Sequence, residues 1–400
     1  MPECSSPYRA RCAAIMTAAA LLAVFTPAAC TEPNSDDGRG AGDGAAIPTE
    51  CDASKGVNVV PDDDGIYFSA YPHAVAPDGR PASGPAQRRL IDRFSRLAGK
   101  RLALVYLLHP LLGGAIEFPA EQVRAIWDEG AVPLISMLPL SDWSLFGSGK
   151  PDPLLSMQRF ADGTFDAELR RWALDAKATG IPLVVIFGQE VTAGWPWSGE
   201  FNGAGRLDGY GDPTLPDGPE RFRDAYRRVV DVFREAEAHN VTWLYWTSIP
   251  YVLGQEKHYD FKAMWWNVDR YYYPGDNYVD WVGGGAPGYF PQGGYLEWLR
   301  FRPTMDVMYS FLTDFAPDKP QLIELAVAHN PRKGDMAGWI TRAYSQLASG
   351  RWPNVKIVNW WHQYVPGSTS AIDVAPDVTV AFSKAVSDPM FLSRVTVECG

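Results

Sequence analysis

Beyond its N-terminal segment the chain has no run approaching about 18 uninterrupted apolar residues, so no later segment is expected to cross a bilayer as a helix. Positive charge is also scarce: 36 Lys and Arg stand against 47 Asp and Glu, a net charge of −11. That balance argues against nucleic acid or anionic lipid as the main partner, since both demand basic patches, and leaves a neutral polysaccharide permissible. No Gly-x-Ser-x-Gly elbow and no P-loop occurs, and the six histidines lack close zinc-ligand spacing. Neither a cofactor nor a metal is required. Asp62-Asp63-Asp64 precedes the first predicted strand and reads as a solvated acidic loop at the bottom of the fold.

Cysteine is sparse too, with five in 400 residues. Arg9 and Arg11, the apolar stretch Ala13 to Phe25 and the small residues Ala28 and Ala29 before Cys30 form an export signal over residues 1–29. Cys30 sits as in a bacterial lipobox, with Pro27 where Leu is usual; either it is acylated and anchors the protein, or cleavage nearby leaves a secreted chain. Cys4 and Cys12 leave with the signal, so Cys51 and Cys399 remain to pair. A disulfide closing so long a loop contributes about 5 kcal/mol as an upper bound in the chain-entropy model. Residues 30–50, rich in Gly, Asp, Ala and Pro, read as a flexible tether, and residues 51–400 as one catalytic domain that acts as a monomer.

What is plentiful is apolar and aromatic material, 46% and 13% of the residues, ample for one large core. Eight strand-like runs alternate with amphipathic helical stretches: Gly65 to Ala70, Leu102 to Leu108, Val132 to Leu138, Ile181 to Phe187, Val241 to Trp246, Tyr278 to Gly283, Gln321 to Val327 and Val355 to Trp360. Such alternation predicts βα units and a parallel sheet, and eight of them predict an α/β fold of the (β/α)8 TIM-barrel type. Phe222, Tyr226, Val229, Val230 and Phe233 recur at helical spacing, as do Leu169, Trp172, Ala173 and Ala176, the latter stopped by Gly180. The Gly-, Pro- and Asp-rich segment Trp195 to Pro219 is too long for a minimal connection and reads as a functional loop.

The fourth run ends in Phe187-Gly188-Gln189-Glu190-Val191-Thr192-Ala193-Gly194-Trp195-Pro196-Trp197. In a barrel, catalytic groups sit at the C-terminal ends of strands, where Glu190 falls. Flat indoles such as Trp195 and Trp197 suit the apolar faces of pyranose rings. Glycoside hydrolysis with retention needs two carboxyls, one protonated to assist departure and one ionised to attack. The second candidate is Glu324, the one charge in Leu322-Ile323-Glu324-Leu325-Ala326-Val327, where an unpaired ionised side chain would be costly. Each carboxylate also has a structural reading, as a salt-bridged acid of a loop or strand edge. Trp360 and Trp361 end the eighth run, and alternation sends one of them toward the barrel axis as a floor for sugar. His109 and His362, ending the second and eighth runs, are placed to donate to sugar hydroxyls or serve as structural groups.

Here the chain resembles glycoside hydrolase family 26, the β-mannanase-like members of the retaining (β/α)8-barrel clan, over nearly all of residues 65–363. The likeness rests on the segment from Gln189 to Trp197, on Asn240-Val241-Thr242-Trp243, on Tyr272-Tyr273-Pro274-Gly275-Asp276-Asn277-Tyr278-Val279-Asp280-Trp281-Val282-Gly283, and on Lys319-Pro320 leading into Glu324. It implies Glu190 as acid/base and Glu324 as nucleophile. Gln189 stands where the family has histidine; its amide also bonds to a sugar hydroxyl or a carboxylate. After Gly283 the family continues with Asp and a Tyr that orients the nucleophile, whereas here Gly284-Gly285-Ala286-Pro287-Gly288-Tyr289 follows, with Tyr289 as the stand-in. Glu324 lies one place closer to the Lys-Pro pair than the family's nucleophile, which a preceding turn one residue shorter would accommodate. The pair's roles imply that Glu190 is raised in pKa while hydrogen bonds keep Glu324 ionised.

The implied activity is that of an exported endo-β-glycanase acting on β-1,4-mannan, with a β-glucan or β-xylan backbone as the alternative. A catalytically inactive barrel that binds glycan at the cell envelope is the reading from another class.

Overall fold

The computed structural model describes residues 56–72, 81–248, 265–291 and 294–399. Strand β1 is Val57–Val60, and then eight strands follow: β2 (Ile66–Tyr71), β3 (Leu104–Pro110), β4 (Val132–Leu138), β5 (Leu183–Phe187), β6 (Val241–Trp246), β7 (Trp281–Gly285), β8 (Gln321–Leu325) and β9 (Val355–Trp361). Each of β2 to β9 pairs in parallel with the next, and β9 pairs with β2, so the sheet closes into an eight-stranded barrel. These are the eight expected runs, shifted at their ends by up to three residues. The largest shift is at β7, which starts three residues later, at Trp281, and runs two further, through Gly284 and Gly285, because those residues pair with Ile323 and Glu324 of β8.

Helices fill the return paths on the outside. They are α1 (Gly84–Ala98), α2 (Ala120–Asp128), α3 (Met157–Ala161), α4 (Asp166–Thr179), α5 (Asp217–Glu235), α6 (Asp269–Tyr272), α7 (Phe301–Phe315), α8 (Met336–Ala348) and α9 (Pro376–Val386). In α4 the buried face is Leu169, Trp172, Ala173 and Ala176, and Gly180 ends the helix in the left-handed conformation at φ 64°. In α5 the stripe Phe222, Tyr226, Val229, Val230 and Phe233 is buried, with Phe233 packed 5.2 Å from the Trp172 ring.

Alternation along each strand divides the core in two. Outward residues such as Phe68, Val105, Ile135, Val185, Ile323 and Val358 meet the helices in one apolar cluster. Inward residues fill the barrel in another: Tyr67, Tyr71, Leu104, Tyr106, Leu134, Val184, Ile186, Leu244, Trp246, Trp281, Leu322 and Ile357. The barrel is therefore packed through its middle, as parallel barrels are, and its chemistry is confined to the mouth.

The opposite end is capped by an antiparallel ribbon in which β1 pairs with the C-terminal strand β11 (Thr396–Cys399), while the short β10 (Phe391–Leu392) joins the edge of β2. The Val59 carbonyl accepts from Trp281 Nε1, and the Val60 carbonyl from the Tyr67 hydroxyl, so the ribbon is stitched to the barrel interior. Lys356 Nζ donates to the carbonyls of Asp62 and Asp63, which holds the acidic loop at this end. Val57 stands opposite Cys399 in the ribbon. The expected partner Cys51 lies outside the described residues, as do the export signal, Cys30 and the tether.

Candidate active site at the barrel mouth

Three strands place polar side chains at one level of the mouth. Ser69 of β2 and Glu324 of β8 each stand directly opposite Asn359 of β9. Leu322, two residues before Glu324, lies in the barrel interior, so alternation turns Glu324 to the axis as well. The one-residue offset before the strand has not flipped it. Glu324 Oε2 accepts from Asn359 Nδ2 at 3.0 Å, and Asn359 Oδ1 accepts from the Ser69 hydroxyl at 2.8 Å.

Glu190 arrives by a different device. Gly188 has φ 63° and Glu190 itself φ 53°, so the chain leaves β5 through two left-handed residues that swing the carboxylate back over the mouth. For Gly188 this is inexpensive, and a side chain there would meet Phe222 at 2.8 Å and Trp197 at 3.1 Å. For Glu190 it costs on the order of 1 kcal/mol, held in place by its amide donating to the Trp246 carbonyl at 3.1 Å. Thr192 N to the Ser248 hydroxyl and Asn267 Nδ2 to the Thr192 carbonyl pin the turn that follows.

The floor beneath the two carboxylates is aromatic. Trp361 stacks on Tyr71 with ring centres 4.1 Å apart, and Tyr106 stands edge-on to Tyr71, Trp246 and Trp361 at 5.7 to 6.2 Å. Little water can reach below the carboxylates, and burial raises both pKa values: Glu190 upward, and Glu324 to about 8. The charge of Glu190 adds to the rise at Glu324. The expected asymmetry, with hydrogen bonds keeping Glu324 ionised, is not found. Asn359 supplies a hydrogen bond that favours the anion, and desolvation outweighs it.

Around this pair the sequence-predicted residues divide. Gln189 lies in the mouth, its Oε1 accepting from the hydroxyls of Ser136 (2.6 Å) and Tyr106. Two donors on Oε1 assign the amide orientation and direct Nε2 elsewhere. Trp195 donates from Nε1 to Glu190 Oε2 at 3.1 Å, and one indole face is covered by Phe146. Trp361 is the inward member of its pair.

Five expectations are corrected. Trp360 faces the helices, buried against Phe382 of α9 with Nε1 donating to the Ser370 carbonyl, because the residue beside an inward Trp361 must point outward. Trp197 is fully buried, with Nε1 donating to the Gln189 carbonyl at 2.7 Å; it supports the turn and offers no platform. His109 follows the inward Leu108 and so turns to the outer side, where its Nε2 meets the Glu117 carbonyl at 2.9 Å and burial lowers its pKa to about 4. His362 is buried, its Nδ1 accepting from Ile372 N and its Nε2 meeting the Tyr364 hydroxyl at 3.1 Å, which makes it a structural link. Tyr289 is also buried; its hydroxyl accepts from Asn330 Nδ2, and among the described residues no hydrogen bond runs from it to Glu324. The long loop after Trp197 is likewise pinned, by Asn202 donating to the Pro196 and Ser198 carbonyls and by Arg221 reaching Gln158, Asn202 and Gly209.

Ser69, Tyr106, Ser136 and Asn359 were missed. Ser69, Ser136 and Asn359 carry the same signal that identified Glu324, a polar residue interrupting an apolar strand on its inward side.

No family model matches the chain. A curated relative, Endoglucanase H of Acetivibrio thermocellus, is 24% identical over 303 residues, covering 74% of this chain, which spans 29% of that protein's length. Among solved structures, the catalytic domain of a family 26 endo-β-1,4-mannanase from Bacillus sp. JAMB-750 matches with a TM-score of 0.55 at 15% identity, over 82% of this chain and 87% of that one. A modular endo-β-1,4-mannanase of Cellulomonas fimi matches with a TM-score of 0.53 at 16% identity, over 82% and 72%. Solved structures of glycoside hydrolase family 26 thus share the barrel that the motif resemblance implied.

Proposed function

We propose that this chain is a glycoside hydrolase of the family 26 type, which cleaves a β-linked polysaccharide internally and with retention. The observation that carries the reading is the pair Glu190 and Glu324, two half-buried carboxylates placed at the mouth by the C-terminal ends of β5 and β8, above an aromatic floor. Two interacting carboxyls in a desolvated cleft hold one proton between them over a range of pH. The productive arrangement has that proton on Glu190. Glu190 then protonates the departing glycosidic oxygen while Glu324 attacks the anomeric carbon, forming a glycosyl-enzyme. The Glu190 carboxylate next takes a proton from the water that displaces Glu324. Trp361 offers an indole to the apolar face of a sugar ring, and Gln189 Nε2 is a donor for a hydroxyl.

For the backbone, β-1,4-mannan leads, because the structural neighbours are mannanases. The name of the curated relative favours a β-glucan as the second reading. The test is reducing-sugar release by the exported protein on mannan, glucomannan, mixed-linkage β-glucan and xylan, beside Glu190→Gln. Release from one polymer, lost in the variant, supports the hydrolase and identifies its backbone. Silence on all four from folded protein returns the reading to a glycan-binding barrel.

Export, and lipid attachment at Cys30, belong to the same proposal. Incorporation of a labelled fatty acid that disappears in Cys30→Ala would support the anchor, and an unlabelled secreted chain would remove it.

A further inference from the structure

Glu324 has an asymmetric setting on the sheet. On its β7 side the register partner is Gly285, which presents no side chain, and on its β9 side the partner is Asn359. Asn359 is wholly buried, and so is Ser69 beyond it on β2. An asparagine amide can offer a carboxylate either its NH2 or its carbonyl oxygen, and only the first is attractive. The ionised carboxylate of Glu324 makes the choice, and the Ser69 hydroxyl holds the amide in it. By donating to Asn359 Oδ1 at 2.8 Å it engages the amide oxygen, and the NH2 is left facing Glu324 Oε2 at 3.0 Å. Reversing the amide would set its oxygen against the ionised Glu324 oxygen, whereas the Ser69 hydroxyl could turn to accept from the NH2. Tyr289, the residue expected to orient Glu324, has its hydroxyl bonded to Asn330 instead.

We propose that Asn359, locked by Ser69, is the positioning residue for Glu324: it fixes the carboxylate through Oε2, leaves Oε1 to the substrate, and favours the ionised form. The proposal rests on the assignment of Glu324 as nucleophile for its catalytic consequence, but its electrostatic content does not need that assignment. A half-buried hydrogen bond to a charged acceptor is among the stronger ones, so its removal is expected to change rates by roughly ten- to a hundredfold. Since the donor stabilises the anion, its loss raises the carboxyl's affinity for a proton, and less Glu324 is ionised at any given pH.

The experiment has two arms on the full chain. In the first, carboxyl-13C glutamate is incorporated, the Glu324 resonance is identified by its absence in Glu324→Gln, and its titration is followed in Asn359→Ala and in the milder Ser69→Ala. The proposal expects the midpoint to move to higher pH in both, by about one unit in Asn359→Ala and less in Ser69→Ala. An unmoved midpoint in both folded variants overturns it; should Asn359→Ala fail to fold, Ser69→Ala alone decides. In the second, the limb of the kcat/KM profile on the active polymer that follows the Glu324 midpoint should move upward in the same order, with Ser69→Thr restoring it. If the titration shifts and no polymer is cleaved, the positioning stands and the hydrolase reading falls. If cleavage is found but neither titration nor limb moves, the hydrolase stands and the positioning role falls.

Discussion

Trp195 donates its indole N–H to Glu190 Oε2 at 3.1 Å while its ring lies 4.1 Å from that of Phe146 and within 12° of parallel. One side chain thus ties the candidate acid to the wall of the mouth. The donor favours the Glu190 anion, opposing the burial that raises its pKa. Trp195→Phe keeps an aromatic partner for Phe146 and deletes the donor, so the pKa of Glu190 should climb further. The limb of the kcat/KM profile that follows the Glu190 midpoint is therefore expected to move to higher pH by about one unit. A limb that stays in place, measured on the active polymer, would detach Trp195 from the acid's ionisation.

Glu324 should make stability depend on pH in a defined direction. Its pKa rises from 4.5 in the ordinary state to about 8 in the fold. The folded state therefore holds the proton more tightly, and this contribution is complete below about pH 4.5 and is lost as pH rises through about 8. Glu324→Gln removes the titration. Urea unfolding at pH 5 and pH 9 should show the wild-type protein losing stability toward pH 9 and the variant losing less, with the variant the more stable of the two at pH 9.

Gly188 is the hinge of the turn that delivers Glu190. Its φ of 63° disfavours alanine, and so does Phe222, which lies 2.8 Å from where the added methyl would sit. Gly188→Ala is expected to lower stability by about 2 kcal/mol or more, and to reduce activity through displaced Glu190 rather than weakened sugar affinity. Thermal unfolding together with separate kcat and KM values checks both parts.

Trp360 and Trp361 are adjacent and should respond in opposite ways. Trp360→Ala opens a cavity against Phe382 and is expected to cost about 3–5 kcal/mol in stability with little change in KM for molecules that fold. Trp361→Ala strips the floor of the mouth and should weaken substrate binding by roughly tenfold or more. Denaturant unfolding beside oligosaccharide binding distinguishes them, and equal effects on binding would remove Trp361 from the site.

The eight-stranded barrel was legible in the chain because its signals are local. Apolar runs such as Val132 to Leu138 are buried on both faces, and helices such as α5 carry a stripe at helical spacing. Glu190 and Glu324 stood out for a related reason: a lone carboxylate in or after such a run conflicts with its surroundings. What periodicity leaves open is which face of a strand meets the axis. Trp360 and Trp361, or Leu108 and His109, differ by one residue and so by the whole thickness of the sheet. That decision was made by closure of the barrel, which fixed the register of β9 against β2 and β8. The alliances Ser69–Asn359–Glu324 and Tyr106–Gln189–Ser136 join strands far apart in the chain, and only tertiary pairing brings their hydroxyls and amides together. The pKa values followed the same division. The sequence by itself determined that two carboxylates would end barrel strands, and the three-dimensional packing of Tyr71, Tyr106, Trp246 and Trp361 beneath them decided how strongly each would hold its proton, since desolvation is a property of everything around a group and not of its neighbours in the chain.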